Sequence, residues 1–361
     1  MFAQRVILTD CLWLEKVSNT VYAQFSIQFI SEGGVNKIDD SKEKNNQTQS
    51  FTKSIFRLMR IPNIFTAVAD VIMGFVFMHQ SFEPLGGLLF LCAATCCLYS
   101  AGMILNDVFD VEIDSVERPE RPIPSGAVSL QFATVLSFTL IFSGIGCAIA
   151  SYFFFAGEKL FTGFEPAIVA ILLVAAIFLY NKILKKTPIA PIAMGSCRFL
   201  NILLGMSLIG SANASLIPAG LMIAFAVGVF VAGFTWFARS EAKESDIKLL
   251  TFGFAVMVVG LLLIAAMPFY GLTLPTTATK VWLLPFIIGA IGLSVVRLSL
   301  VAIADPIPRH VQMTIKQCIL SLILINAALC FWVDPDQFQF AFVVLLLLFP
   351  AIMLGQWFKS T

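Results

Sequence analysis

The chain has 361 residues, of which 58% are hydrophobic and 12% charged, with a mean hydropathy of +0.90. Soluble domains carry about 25% charged residues, so this chain has half the charge needed to wet a globular surface. A cytosolic enzyme, a disordered chain and a nucleic-acid binder are excluded, and a net charge of +1 makes every electrostatic reading local.

Residues 1–52 stand apart from the rest. They hold 5 basic and 6 acidic residues, and 31–53 (SEGGVNKIDDSKEKNNQTQSFTK) reads as a solvated linker. Asp10, Glu15 and Lys16 interrupt any apolar core of a signal peptide. The segment is expected to be a poorly ordered polar extension, and 53–361 a single transmembrane domain.

From Ile61 onward apolar runs of spanning length recur, at or near the ~20 residues that a bilayer demands. They lie near 62–80, 85–105, 132–154, 166–180, 188–210, 216–237, 249–270, 281–303, 313–333 and 338–357. Lipid offers backbone groups no water, so the runs must be helices. The expected fold class is an all-α polytopic bundle of nine to ten transmembrane helices. With the N-terminus inside, the inner loops collect 14 Lys and Arg residues and the outer loops only Lys159 and Lys280. The expected location is a plasma or inner membrane, with the polar loops on the cytoplasmic side. Seven of the eight cysteines lie in apolar stretches and read as packing residues, while His79 and His310 read as interfacial.

The second run ends in an acidic string, NDVFDVEIDSVERPERPIPSG from Asn106. Six of the 22 acidic residues fall between Asp107 and Glu120. At about 100° per residue, Asp107, Asp110 and Asp114 share a ~60° arc of a helix. Three carboxylates on one face repel unless a cation sits between them. Hard oxygen donors so arranged suit Mg2+, which binds one or two carboxylates plus substrate phosphates. Arg118 and Arg121 follow as bidentate phosphate-binding candidates.

Asn106-Asp107-x-x-Asp110-x-x-x-Asp114, followed by Arg118-Pro119-x-Arg121-Pro122-Ile123-Pro124-Ser125-Gly126, resembles the first aspartate-rich motif of the UbiA superfamily of intramembrane prenyltransferases. The resemblance covers roughly 55 to 330. It implies that Asp107, Asp110 and Asp114 hold the diphosphate of a polyprenyl donor through Mg2+. The string is also similar to that of archaeal geranylgeranylglyceryl-phosphate geranylgeranyltransferases, and TPIAPIAMGSCRFLNILLG, 187–205, resembles the EboC-like branch. The family has nine spans where ten runs are counted here.

The other inner loops are weaker signals. YNKILKKTP, 180–188, serves positive-inside topology, and the resemblance adds Tyr180, Lys182, Lys185 and Lys186 as diphosphate-binding candidates. Arg198 and Asn201 share a helix face inside an apolar run, as do Asn63 and Asp70. Intramembrane charges are expensive and mark either function or a helix–helix staple, and Arg198 is a candidate partner for Asp70. At ARSEAKESD, 238–246, the family has a second aspartate motif. This chain has Glu241 and Glu244 with Arg239 and Lys243, which read equally as a second Mg2+ site or as a solvated loop. A few of the 35 phenylalanines are candidates to line a prenyl pocket.

The expected activity is Mg2+-dependent transfer of a prenyl group from an allylic diphosphate to an aromatic or other electron-rich acceptor, an ether lipid being one variant. The rival reading is a non-enzymatic member of the fold that binds or moves a lipid-like precursor. Expected partners are the donor, an acceptor of open identity and the bilayer, with no nucleic acid.

Overall fold

The structure is a computed structural model that describes residues 51–154, 164–240, 246–270 and 282–357. The extension up to residue 50 lies outside them, as do Lys159, Glu241, Glu244 and Lys280. Every element in the described residues is helical. A short helix α1 (51–58) precedes α2 (Ile61–His79), α3 (Leu85–Phe109), α4 (Val111–Glu117) and α5 (Leu130–Ser151). Then come α6 (Glu165–Phe178), α7 (Ala190–Met206), α8 (Ile217–Phe237) and α9 (Ile247–Ala265). The chain closes with α10 (Leu283–Ala304), α11 (Pro308–Val333), α12 (Gln339–Leu346) and α13 (Leu348–Trp357).

The protein is an integral, multi-pass membrane protein. Among the described residues, nine helical segments are long and apolar enough to cross a bilayer. The tenth apolar run is the shorter α7, whose 17 residues reach about 26 Å at 1.5 Å per residue. Polar and basic residues interrupt it, and it is the helix that carries Arg198 and Asn201. The last run is broken at Leu347 into α12 and α13. Pro350 lacks the N–H that would bond the carbonyl of residue 346 there.

Helices that are apolar all round do not announce which face is buried. The structure does. In α2 every residue from Val71 to Met78 is buried, whereas α5, α6, α9, α10 and the last segment are buried over a third of their length or less. The exposed sides of those outer helices carry Phe132, Phe138, Phe142, Phe252 and Phe286, as a lipid-facing surface should.

Two glycines bring α2 and α7 into backbone contact. A Cβ at Gly205 would lie 2.3 Å from the Val71 carbonyl oxygen, and one at Gly74 would lie 2.5 Å from that of Ile202. Small residues at such a crossing let membrane helices approach closely. The crossing is what places Asp70 and Arg198 within reach of each other. At the other end, Leu58 of α1 is fully buried with Ile104, Ile123, Val128 and Ala133, so α1 and the loop after α4 share one apolar anchor.

Candidate active site

The acidic string does not form one continuous helix. Asp110 interrupts it with φ −94° and ψ 2°, ending α3 and starting α4. The break separates the three carboxylates. Asp107 and Asp114 converge on one atom, Arg121 Nη1, which donates to Asp107 Oδ1 at 3.2 Å and to Asp114 Oδ2 at 2.5 Å. Asp110 turns the other way and pairs with Lys185 Nζ, which also donates to Asn106 Oδ1 at 2.7 Å. Asn106 Nδ2 in turn donates to Asp107 Oδ1 at 3.3 Å. Arg60, in the left-handed turn before α2, brings Nη2 to 3.6 Å from Asp107. Three carboxylates thus meet three cations at one mouth of the bundle. Asp107 and Asp114 are nearly inaccessible there, with side chains 7% and 6% exposed.

Two local features aim the cations. Arg121 stands on the loop 118–128, which is held by buried Ile123 and Val128 and turned at Gly126, φ +77°. Lys185 follows a π-helical turn, Leu179–Leu184, in which its own N–H donates to the Tyr180 carbonyl five residues back at 2.9 Å. Such wide turns recur at functional sites. This one brings Lys185 to α3 while Lys182 and Lys186 stay exposed. The three lysines, Asp110, Asn181 and Phe109 border a cleft of about 100 Å³. Beside it, Phe109 and Phe138 both pack on Phe178, with ring centroids 6.5 and 6.1 Å away. Tyr180 lies within electrostatic reach of Arg60, Asp110 and Arg239, so the turn after α6 lies near this mouth. Arg118 is half-buried, and Arg239 is exposed.

A second polar cluster lies deeper, about 15 Å along α2 from Arg60. Asp70 is fully buried. Its Oδ2 accepts from Arg198 Nη1 at 2.8 Å and Asn201 Nδ2 at 3.1 Å, and its Oδ1 accepts from Asn326 Nδ2 at 2.8 Å. Arg198 also donates to Thr66 Oγ1 at 2.7 Å, and Thr95 donates to Asn201 Oδ1 at 2.6 Å. The cluster ties α2, α3, α7 and α11 together. It satisfies a charged pair that lipid would not. Tyr99 lies beside the deeper cluster, its ring centre 5.8 Å from the Arg198 guanidinium carbon.

Sequence reading missed Arg60, Tyr99 and Asn326. Asn326 carries the same mark as Asn201, an amide inside an apolar run. Tyr99 lies seven residues before Asn106, hence on its helix face. Arg60 had no signal, because its approach to Asp107 depends on the left-handed turn.

The donor chemistry of the mouth fits Mg2+. It offers hard carboxylate oxygens with a side-chain carbonyl beside them, two of the carboxylates converge on one cationic point, and guanidinium and ammonium groups flank them. Among the described residues no three His, Cys, Asp or Glu side chains converge as a ready-made metal cage.

The UbiA prenyltransferase family model matches residues 67–316. A digeranylgeranylglyceryl phosphate synthase of Saccharolobus solfataricus is 34% identical over 135 residues, which is 37% of this chain and 44% of that protein. The chain thus spans less than half the length of this curated relative. Among solved structures, one of a digeranylgeranylglyceryl phosphate synthase superimposes with a TM-score of 0.56 at 18% identity, over 79% of this chain and 99% of that one. A UbiA homologue from Archaeoglobus fulgidus, bound to DMAPP and Mg2+, gives a TM-score of 0.52 at 13% identity, over 81% and 98%. At those identities the likeness is one of fold.

Proposed function

This chain belongs to the UbiA prenyltransferase family, and from that premise we propose that it moves a prenyl group from an allylic diphosphate to an electron-rich acceptor, with Mg2+ as cofactor. The observation that carries the reading is the convergence of Asp107 and Asp114 on one cationic atom, with Asp110 and Lys185 alongside. Asp107, Asp110 and Asp114 would hold the ion, which when bound supplies Lewis-acid neutralisation of the leaving group. Arg121, Lys185 and Arg60 grip the phosphoryl oxygens, with Asn106, Tyr180, Arg118, Lys182, Lys186 and Arg239 around them. The C1–O bond breaks and its electron pair leaves with the diphosphate. The allylic cation is then captured by the acceptor, which forms the new bond at C1 and releases a proton. The surrounding helices keep water from the cation, and Phe109, packed on Phe178, offers the prenyl chain an aromatic face. Asp70, Asn63, Arg198 and Asn201 act from below, holding the helices and Tyr99 in register.

The acceptor favoured by the relatives is a glyceryl lipid, because a curated protein that matches 37% of this chain is a digeranylgeranylglyceryl phosphate synthase. Incubating the purified protein with radiolabelled prenyl diphosphates and a membrane extract, then identifying the product, tests both levels. A labelled lipid product supports this acceptor and a labelled aromatic one replaces it. No transfer with any donor, while lipid-like precursors still bind, turns the reading to a carrier.

Glu241 and Glu244 are proposed as carboxylates of a second ion. Charge develops on the leaving diphosphate, so Glu241→Gln is expected to lower kcat more than it weakens donor binding. A loss of ~3 kcal/mol of transition-state stabilisation slows turnover more than a hundredfold. Normal turnover in both Glu241→Gln and Glu244→Gln would remove the second ion.

The mouth is proposed to face the cytoplasm, from the excess of basic residues in its loops. In a background without native cysteines, a cysteine at Ser125 or Lys186 is expected to react with an impermeant thiol reagent only once the inner face is opened. One at Lys280 is expected to react from outside. The opposite pattern reverses the orientation.

A further inference from the structure

We propose that the mouth binds its divalent cation and the donor's diphosphate as a single unit, because Arg121 and Lys185 are the resident counter-ions of the aspartates and release them only to an anion. The identity of the two ligands rests on the function proposed above. The coupling between them is the new element.

Arg121 Nη1 stands between Asp107 Oδ1 and Asp114 Oδ2, at 3.2 and 2.5 Å, and the residue is only 9% exposed. It fills the point on which the two carboxylates converge. Lys185 Nζ does the same for Asp110 and the Asn106 carbonyl. An ion that takes these carboxylates as ligands must therefore move a guanidinium and an ammonium aside. If the ion came alone, both displaced groups would be left without a counter-ion in a largely desolvated mouth, where an uncompensated charge is costly. If a diphosphate came alone and drew Arg121 and Lys185 to itself, the buried Asp107 and Asp114 and their neighbour Asp110 would lose those counter-ions. Together the two arrivals exchange partners. The ion takes over the carboxylates, and the phosphoryl oxygens accept the hydrogen bonds that Arg121 and Lys185 give up.

The framework allows the exchange without unfolding. Ile123 and Val128 hold the backbone beyond Arg121 in the apolar anchor with Leu58, so the guanidinium can swing on a fixed loop. Lys185 borders the cleft at the end of the π turn and needs only to rotate its side chain. Coupling of this kind is reciprocal: each ligand raises the affinity for the other by the same factor.

Mn2+ and inorganic pyrophosphate serve as probes on the purified full chain. Bound Mn2+ is read from the electron paramagnetic resonance of the free ion, after subtraction of protein-free mixtures. Wild type is expected to bind Mn2+ weakly, and pyrophosphate to raise that affinity about tenfold or more. Arg121→Gln removes the resident counter-ion, so it is expected to bind Mn2+ alone about tenfold more tightly and to lose much of the pyrophosphate effect. Lys185→Gln is expected to act in the same direction and serves if the first variant does not fold, while Arg121→Lys should stay near wild type. The exchange is overturned if Arg121→Gln and Lys185→Gln bind Mn2+ no more tightly than wild type, or if pyrophosphate leaves the wild-type affinity unchanged. Asp107→Asn separates the two levels. If it binds Mn2+ with pyrophosphate as wild type does, the site itself is misplaced. If it loses that binding while the cation variants gain nothing, the site stands and the exchange alone fails.

Discussion

Asp107→Asn is expected to weaken Mg2+-dependent binding of a prenyl diphosphate by about a hundredfold or more, the effect of losing ~3 kcal/mol from a desolvated charge cluster. Asp107 is the most connected of the three aspartates: Arg121 and Asn106 donate to its Oδ1, and Arg60 stands 3.6 Å away. Removing its charge leaves two carboxylates among three cations, too few to balance an added ion. The fold is expected to survive, because an asparagine oxygen still accepts from Arg121 and Asp114 keeps its own bond to that side chain. Asp110→Asn is expected to behave alike through Lys185. Equilibrium binding of a radiolabelled donor, with thermal unfolding as the control for folding, checks both. Undiminished binding in the two variants would remove the aspartates from the site.

Arg198→Met is expected to cost the fold about 3–5 kcal/mol, because it strands a fully buried carboxylate. Asp70 would keep only the amides of Asn201 and Asn326. The drop should appear as a fall in Tm on the order of 10 °C in detergent. The double variant Arg198→Met with Asp70→Asn is expected to recover most of it, because a neutral amide can still bond Asn201 and Asn326 without needing the guanidinium. A single variant with unchanged Tm and lost turnover would instead put Arg198 in contact with substrate. The pair of measurements therefore separates a staple from a binding residue, the two readings that an intramembrane arginine allows.

The sequence carried the grouping of the polar residues better than it carried their geometry. The spacing of Asn106, Asp107, Asp110 and Asp114 announced a polyanionic helix end, and the arginines after it announced the cations that could meet it. The helix arc assumed an unbroken helix, however. The break at Asp110 leaves one carboxylate for Lys185, beyond α6, and two for Arg121, and these partners come from elsewhere in the chain. The lysine loop is similar. Composition marked three lysines, and the π turn, whose register depends on packing against α3, brings only one of them into the mouth. Glu241 and Glu244 lie outside the described residues, and the second acidic loop is carried by sequence alone.

What the sequence by itself determined is the solvent and the count of helices. With 58% hydrophobic residues the chain must live in lipid. Lipid in turn forces each apolar run into a helix, because no other structure satisfies the backbone within one segment. Among the described residues the ten runs became nine spanning segments and the shorter α7 for that reason. Only the tertiary structure decided which helices are central and which polar residues meet. An apolar helix in lipid has no wet face to mark its outside, so hydropathy cannot say that α2 is buried while α5 is not. Nor can spacing along one helix show that Asp70, Arg198 and Asn326 converge. Their meeting depends on Gly74 and Gly205 letting two backbones touch, and close packing between segments far apart in sequence is a property of the folded bundle alone.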